Sequence, residues 1–192
     1  GWCRIDVLDD PPAPAPIEPG RFAHQLRRLS STMSMLPPVF SASSAADLEH
    51  PNELRRWTEM TGGAAYTEPG IEYLRGGWRL EPGEALVLEG EVPECRWWDV
   101  VLHSRHLNSL DARHRSVTRT GATASLLDDG RYRFVLCAED PRVDGAVPGG
   151  GDWLDTEGRP FGIVVARFLQ PSNEPALPHV RTVELAQLGG ER

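Results

Sequence analysis

The chain reads as a mainly β protein: an antiparallel β-sandwich, jelly-roll-like, with an N-terminal helix and short helical turns as a covering layer. Three observations predict it. From Ile71 onward, short apolar runs recur between turn signals. Helix-length amphipathic stretches between those runs are missing, which argues against β-α-β units. Two connections also carry turn chemistry: "EPGE" places Pro82 and Gly83 at the centre of a type II turn, and "LLDDGRY" holds Asp129-Gly130, a two-residue hairpin signal.

In order along the chain, "GWCRIDV" alternates Cys3, Ile5 and Val7 against Trp2, Arg4 and Asp6, the period of a half-buried strand. "DDPPAPAPIEPG" is an extended connector, because its prolines fix φ and remove donors. Phe22, Leu26, Leu29 and Met33 then fall on one helical stripe. Pro37, Pro38, Pro51 and Pro69 confine the next stretch to short helical turns around 52–60. The strands expected after it are "IEYLRGGWRL", "EALVLEGEV", "RWWDVVLH", "TASLL", "RYRFVLCA", "PFGIVVARFL" and "VRTVEL". Residues 1–70 are thus the strand, connector and covering layer, 71–186 the sandwich domain and 187–192 a frayed tail.

A net charge of −8 with no cationic cluster opposes binding to a phosphate backbone, so nucleic acid is not an expected partner. No apolar run reaches the ~20 residues of a membrane span. Cys3, Cys95 and Cys137 are odd in number and widely spaced, which predicts free thiols in a reducing, cytoplasmic compartment. The chain has no initiator Met and opens within an expected strand, as a piece of a longer protein would.

The densest polar cluster is "HSRHLNSLDARHRS", where His103, Arg105, His106, Asn108, Asp111 and His114 follow an apolar strand. The odd spacing of His103 and His106 sends them to opposite faces of a continuing strand, and no metal is expected. Ser104 and Ser109 lack a nucleophile elbow. Asn108 and Asp111 suit a turn in which short side chains bond nearby amides. Arg167 interrupts an apolar strand and needs a carboxylate, because an unpaired buried cation is costly. Glu89 is the first candidate, followed by Asp111 and Asp155. Arg167 is then either a pinned strut or the floor of an anion pocket.

"LEPGEALVLEGEVPECRWWDVVLHSRHLNSLDARHRSV", "LLDDGRYRFVLCAEDP" and "DWLDTEGRPFGIVVARFLQP" together resemble the domain of unknown function 1214 family, particularly its actinobacterial members, over roughly residues 73–171. The resemblance implies a jelly-roll-like sandwich, often the C-terminal part of a longer polypeptide, with no cofactor assigned. Relatives typically carry Asn at the position of Asp152, and their preceding loop is shorter than "PRVDGAVPGGG". Trp153 and Leu154 are expected to anchor that loop on the sheet, the other reading of Trp153 being a stacking platform for a sugar ring.

Two functions follow. The first is an accessory or small-ligand-binding sandwich, with Arg167, Glu89, Asn108, Arg105, Asp152, Trp153 and Asp155 as candidate ligand contacts. An upstream segment or a second copy is the expected macromolecular partner, since open sheet edges invite pairing. The second is a metal-independent hydrolase or lyase in which His103, His106 or His114 works with Asp111 or Asp155, because imidazole titrates near neutrality and a carboxylate orients it. A glycosidase is a variant requiring two carboxylates across a cleft.

Overall fold

The computed structural model describes residues 4–6, 13–57 and 68–188. The chain divides into two compact units, Gly1–Pro38 and Val39–Arg192. In the first, residues 4–6 pair with no strand and Ile5 is exposed, so the half-buried strand expected there is not formed at those positions; the rest of that expectation lies outside the described residues. A helix, α1, spans Pro19–Leu48. The Glu18 carboxylate caps it, accepting from the N–H groups of Gly20 at 2.8 Å and Arg21 at 2.7 Å. Contrary to the sequence reading, α1 runs through Pro37 and Pro38. A proline's φ is itself helical, and two adjacent prolines spend their missing donors within one turn. Of the helical turns expected around 52–60, positions 52–56 instead hold a left-handed Asn52, with φ of 61°, and a two-residue strand, Trp57 is in a 3-10 turn, and 58–60 lie outside the described residues.

Among the described residues of the second unit, nine strands form two sheets. The strands are β1 (Arg55–Arg56), β2 (Ile71–Arg79), β3 (Glu84–Gly90), β4 (Trp97–His103), β5 (Thr118–Thr120), β6 (Tyr132–Cys137), β7 (Asp152–Asp155), β8 (Phe161–Leu169) and β9 (His179–Glu184). One sheet has the order β1-β2-β8-β4-β5, the other β7-β6-β3-β9. Side chains alternate across each strand, so one face of each sheet supplies a shared apolar core: Leu74, Trp78, Trp98, Val100, Val164 and Phe168 from the first, Leu86, Leu88, Phe134, Leu136 and Leu154 from the second. The mainly β sandwich class is as expected.

Three local differences have physical causes. Residues 123–127 form no strand; the ladder onto β4 ends at Thr120, where the chain turns across Trp98, and a Cβ at Gly121 would meet the Trp98 Nε1 at 2.7 Å. The Asp129-Gly130 hairpin is a three-residue loop, closed by the Leu127 N–H on the Arg131 carbonyl and by a left-handed Gly130. The pairing of β7 with β6 is parallel, not antiparallel. Residues 138–151 supply the connection of about a dozen residues or more that a parallel return requires.

That connection is held by the buried Arg133 guanidinium, which donates to the carbonyls of Pro148 at 2.9 Å and Gly150 at 2.7 Å. It covers the outer face of the second sheet with Val147, beside Val87, Val135 and Cys137. Leu188 is buried in the same cluster, so the tail packs as far as that residue. Cys95 and Cys137 are free thiols, while Cys3 lies outside the described residues.

Candidate functional site

The outer face of the five-stranded sheet carries the candidate site. Alternation puts Tyr73, Arg75 and Gly77 of β2, Ile163, Val165 and Arg167 of β8, and Asp99, Val101 and His103 of β4 on that face. Register sets Arg167 between Tyr73 and Asp99. The Arg167 guanidinium forks onto Asp99, with Nε to Oδ1 at 2.8 Å and Nη2 to Oδ2. Asp99, not Glu89, Asp111 or Asp155, is therefore the partner the strand required. Glu89 lies on the other sheet, bound to Arg133 at 3.0 Å and Arg181 at 3.5 Å. The Trp97 ring lies 5.5 Å from the Arg167 guanidinium carbon.

A second ion pair lies on the same face. Asp47, in the last turn of α1, rests over Gly77, where a Cβ would come within 3.1 Å of the Asp47 carbonyl oxygen. Its carboxylate takes Arg75, and both side chains are buried. Burial pushes Asp47 up and Arg75 down, and the charge of each opposes the other's shift. The Arg75 guanidinium carbon lies 4.5 Å from the Trp57 ring centroid, and its Nε has no hydrogen-bond partner among the described residues.

Between these pairs is a recess of about 200 Å³, with Tyr73, Arg75, His103 and Arg167 as its polar lining and Trp57, Leu107 and Val165 as its apolar walls. His103 Nδ1 lies 3.2 Å from the Leu107 carbonyl. Only an N–H can satisfy that oxygen, so Nδ1 carries the proton and Nε2 is left as an acceptor. Burial holds the imidazole below its ordinary pKa, and the charges of Arg167 and Arg75 act in the same direction. The ring is accordingly neutral near pH 7. Arg167 keeps Nη1 outside its ion pair. The recess thus presents donor groups, acceptors at the His103 Nε2 and the Tyr73 hydroxyl, and apolar walls.

The other sequence candidates lie elsewhere. His106 is exposed, and its backbone N–H bonds the Ser104 hydroxyl. His114 does meet Asp111, at 2.9 Å, but on the surface. That contact holds the Asp111 carboxyl below the usual range, and Asp111 also accepts from the Arg113 N–H as a turn cap. Asn108 is exposed and uses its backbone carbonyl, which accepts from Ser104. Arg105 offers its carbonyl to the Ser44 hydroxyl. Asp152 pairs with Arg119 at 2.9 Å, and Asp155 with Arg115 at 2.8 Å. Trp153 is half-buried, donates Nε1 to the Cys137 carbonyl at 3.2 Å and has Arg142 over its ring at 5.3 Å. The cation occupies a face that a sugar would need.

Of the sequence candidates, His103 and Arg167 come together in the recess. Trp57, Tyr73, Arg75, Asp99 and Asp47 were missed. Asp99 had a signal, since it interrupts "WWDVVLH" as Glu89 interrupts "ALVLEGEV". The Asp47–Arg75 pairing has none, because it joins a helix end to a strand 28 residues later.

A different recess, also about 200 Å³, is lined by Glu81, Glu84, Glu139 and Cys137. Burial pushes the Cys137 thiol up to about 12, so it stays protonated and is a poor nucleophile. Among the described residues no group of three or more His, Cys, Asp and Glu is placed to hold a metal ion, and no helix is long and apolar enough to cross a membrane.

The fold and site define a two-sheet β-sandwich with a polar recess on one outer face. A crystal structure of an uncharacterised protein from Burkholderia cenocepacia is similar, with a TM-score of 0.79 and 28% identity, over 92% of this chain and 47% of that one. The VPA0106 protein from Vibrio parahaemolyticus matches with a TM-score of 0.47 and 18% identity, over 62% of this chain and 32% of that one. This chain thus spans about half the length of the first and about a third of the second. No protein-family model matches the chain, and no curated protein does.

Proposed function

We propose that this chain is a small-ligand-binding β-sandwich domain whose binding site is the recess between Trp57, Tyr73 and His103. The observation that carries this reading is convergence: three neighbouring strands each send polar side chains into one recess whose remaining walls, Trp57, Val165 and Leu107, are apolar. Such a recess suits a small acid on an apolar body, whose carboxylate accepts from Arg167 and whose hydroxyl, in a hydroxy acid, donates to the His103 Nε2. The motif order shared with the domain of unknown function 1214 family supports an accessory role within a longer polypeptide, as does a similar structure about twice as long. Free thiols at Cys95 and Cys137 support a reducing, cytoplasmic setting. The hydrolase or lyase reading draws less support, because the imidazole paired with a carboxylate, His114, is exposed, while the one in the recess, His103, bonds a carbonyl.

Calorimetric titration with benzoate, hexanoate and benzyl alcohol tests the proposal. The two acids should bind more tightly than the alcohol. Val165→Phe, which fills the recess, and Tyr73→Phe should each weaken binding, the first by at least about tenfold, or ~1.4 kcal/mol. Arg142→Ala, beside Trp153, should change nothing. Binding that survives Val165→Phe but is lost with Arg142→Ala would move the site to the hollow between Arg119, Arg142 and Trp153.

A further inference from the structure

We infer that the ligand of the recess is a hydroxyaryl carboxylic acid whose hydroxyl is remote from its carboxylate, lying along β8 with the carboxylate at Arg167 and the hydroxyl at His103; the inference rests on the binding role proposed for the recess. Strand register carries it. Three rows of side chains cross the outer face of the sheet: Tyr73, Arg167 and Asp99, then Arg75, Val165 and Val101, then Gly77, Ile163 and His103. The recess is therefore polar at Arg167, apolar over Val165 and polar again at His103, and both polar ends open into the same space.

The two ends stay apart. Their rows are four residues distant along each strand, ~13 Å between backbones at about 3.3 Å per residue. Asp99 holds the Arg167 guanidinium in its own row, and the Trp97 ring, on the side away from His103, lies 5.5 Å from it. Arg75 is 2% exposed, engaged by Asp47 and covered by Trp57, so the guanidinium open to a carboxylate is that of Arg167, with Nη1 outside its ion pair. A hydroxyl on the carbon next to the carboxylate stays at the Arg167 end, whereas one across a ring reaches the other.

The far end requires a donor. With its proton held on Nδ1 by the Leu107 carbonyl, His103 presents a lone pair at Nε2, and the ligand atom set against it must carry a hydrogen. A phenol keeps its proton near neutrality, its ordinary pKa being about 10. The Tyr73 hydroxyl, in the row of Arg167, both donates and accepts and so selects neither. Between the ends, a ring holds the two heads apart over Val165 without the rotamer entropy that a flexible chain loses on binding. A recess of about 200 Å³ is smaller than the ~300–1,000 Å³ of drug-sized pockets, which limits the ligand to a single ring.

Calorimetric titration of the full chain at neutral pH tests the inference. 4-Hydroxybenzoate should bind at least about tenfold more tightly than benzoate. 4-Methoxybenzoate, which keeps the oxygen but loses its hydrogen, and 2-hydroxybenzoate, whose hydroxyl sits beside the carboxylate, should gain nothing over benzoate. His103→Phe, which keeps a ring and removes the acceptor, should bring 4-hydroxybenzoate to parity with benzoate, with far-UV circular dichroism checking that the variant is folded. In the parent chain the nitrogen NMR resonance of the His103 Nε2 should move with 4-hydroxybenzoate and not with 4-methoxybenzoate, a readout that needs no variant. Equal binding of benzoate and 4-hydroxybenzoate, both lost with Val165→Phe, overturns the inference and leaves the recess a binding site; so does a preference for 2-hydroxybenzoate, or one for 4-hydroxybenzoate that survives His103→Phe. Binding by none of the acids, or binding indifferent to Val165→Phe, overturns the proposed site and this inference together.

Discussion

Two ion pairs of the same chemistry should respond differently to the same substitution. Arg75 is 2% exposed and Asp47 is fully buried, so Asp47→Asn strands a guanidinium that water cannot reach and should cost ~3–5 kcal/mol. Arg167 has 38% of its side chain exposed, and water replaces much of what Asp99→Asn removes, for a loss of ~1–2 kcal/mol. Urea unfolding of both variants measures the ordering, and equal losses would refute it. His103 sets a pH dependence. The unfolded chain binds its proton near the ordinary value of 6.5, whereas the folded imidazole resists protonation because it is buried. The unfolded state therefore holds the extra proton as pH falls. Stability is present above 6.5 and is lost as pH drops through the depressed folded value. His103→Gln should flatten this acid-side loss below pH 6.5, as read from urea midpoints.

Elements depend on close approaches as much as on side-chain pattern. A Cβ at Gly76 would sit 1.8 Å from the Glu53 carbonyl oxygen, so Gly76→Ala should lift the 51–54 segment from β2 at a cost of ~1–3 kcal/mol. Gly130 has open space around it, and Gly130→Asn keeps a residue that tolerates the left-handed conformation, so its thermal midpoint should move much less. Six of the seven strands expected from Ile71 onward form at or near their places, because each is an apolar run bounded by turn residues. The misplaced one, 123–127, has the right residue types but gives way to a turn in which the Thr123 hydroxyl accepts the Thr120 N–H at 2.9 Å. Asn52 was equally illegible. Its amide bonds the Arg79 backbone of one sheet and Thr182 of the other, a role that exists only once both sheets are present.

At the scale of the molecule, both apolar clusters are built from residues between Leu54 and Leu188. A chain beginning at Val39 should therefore keep one cooperative thermal transition, within a few degrees of the full chain's. Two separate transitions in the full chain, with the larger lost on truncation, would contradict this.

The sequence by itself determined the sandwich class, most strands, the capped turn at Asp111, and the need of Arg167 for a carboxylate. These follow from period-two alternation, local turn chemistry and the cost of burying a charge, all of which act over a few residues or at one. Only the tertiary structure decided which carboxylate answers Arg167, that Asp47 and Trp57 enclose Arg75, that β7 runs parallel to β6, and that His103 alone of the three clustered histidines faces a recess. Those outcomes depend on strand order and register, which bring together residues distant in the chain, and no short-range pattern encodes which strand becomes whose neighbour.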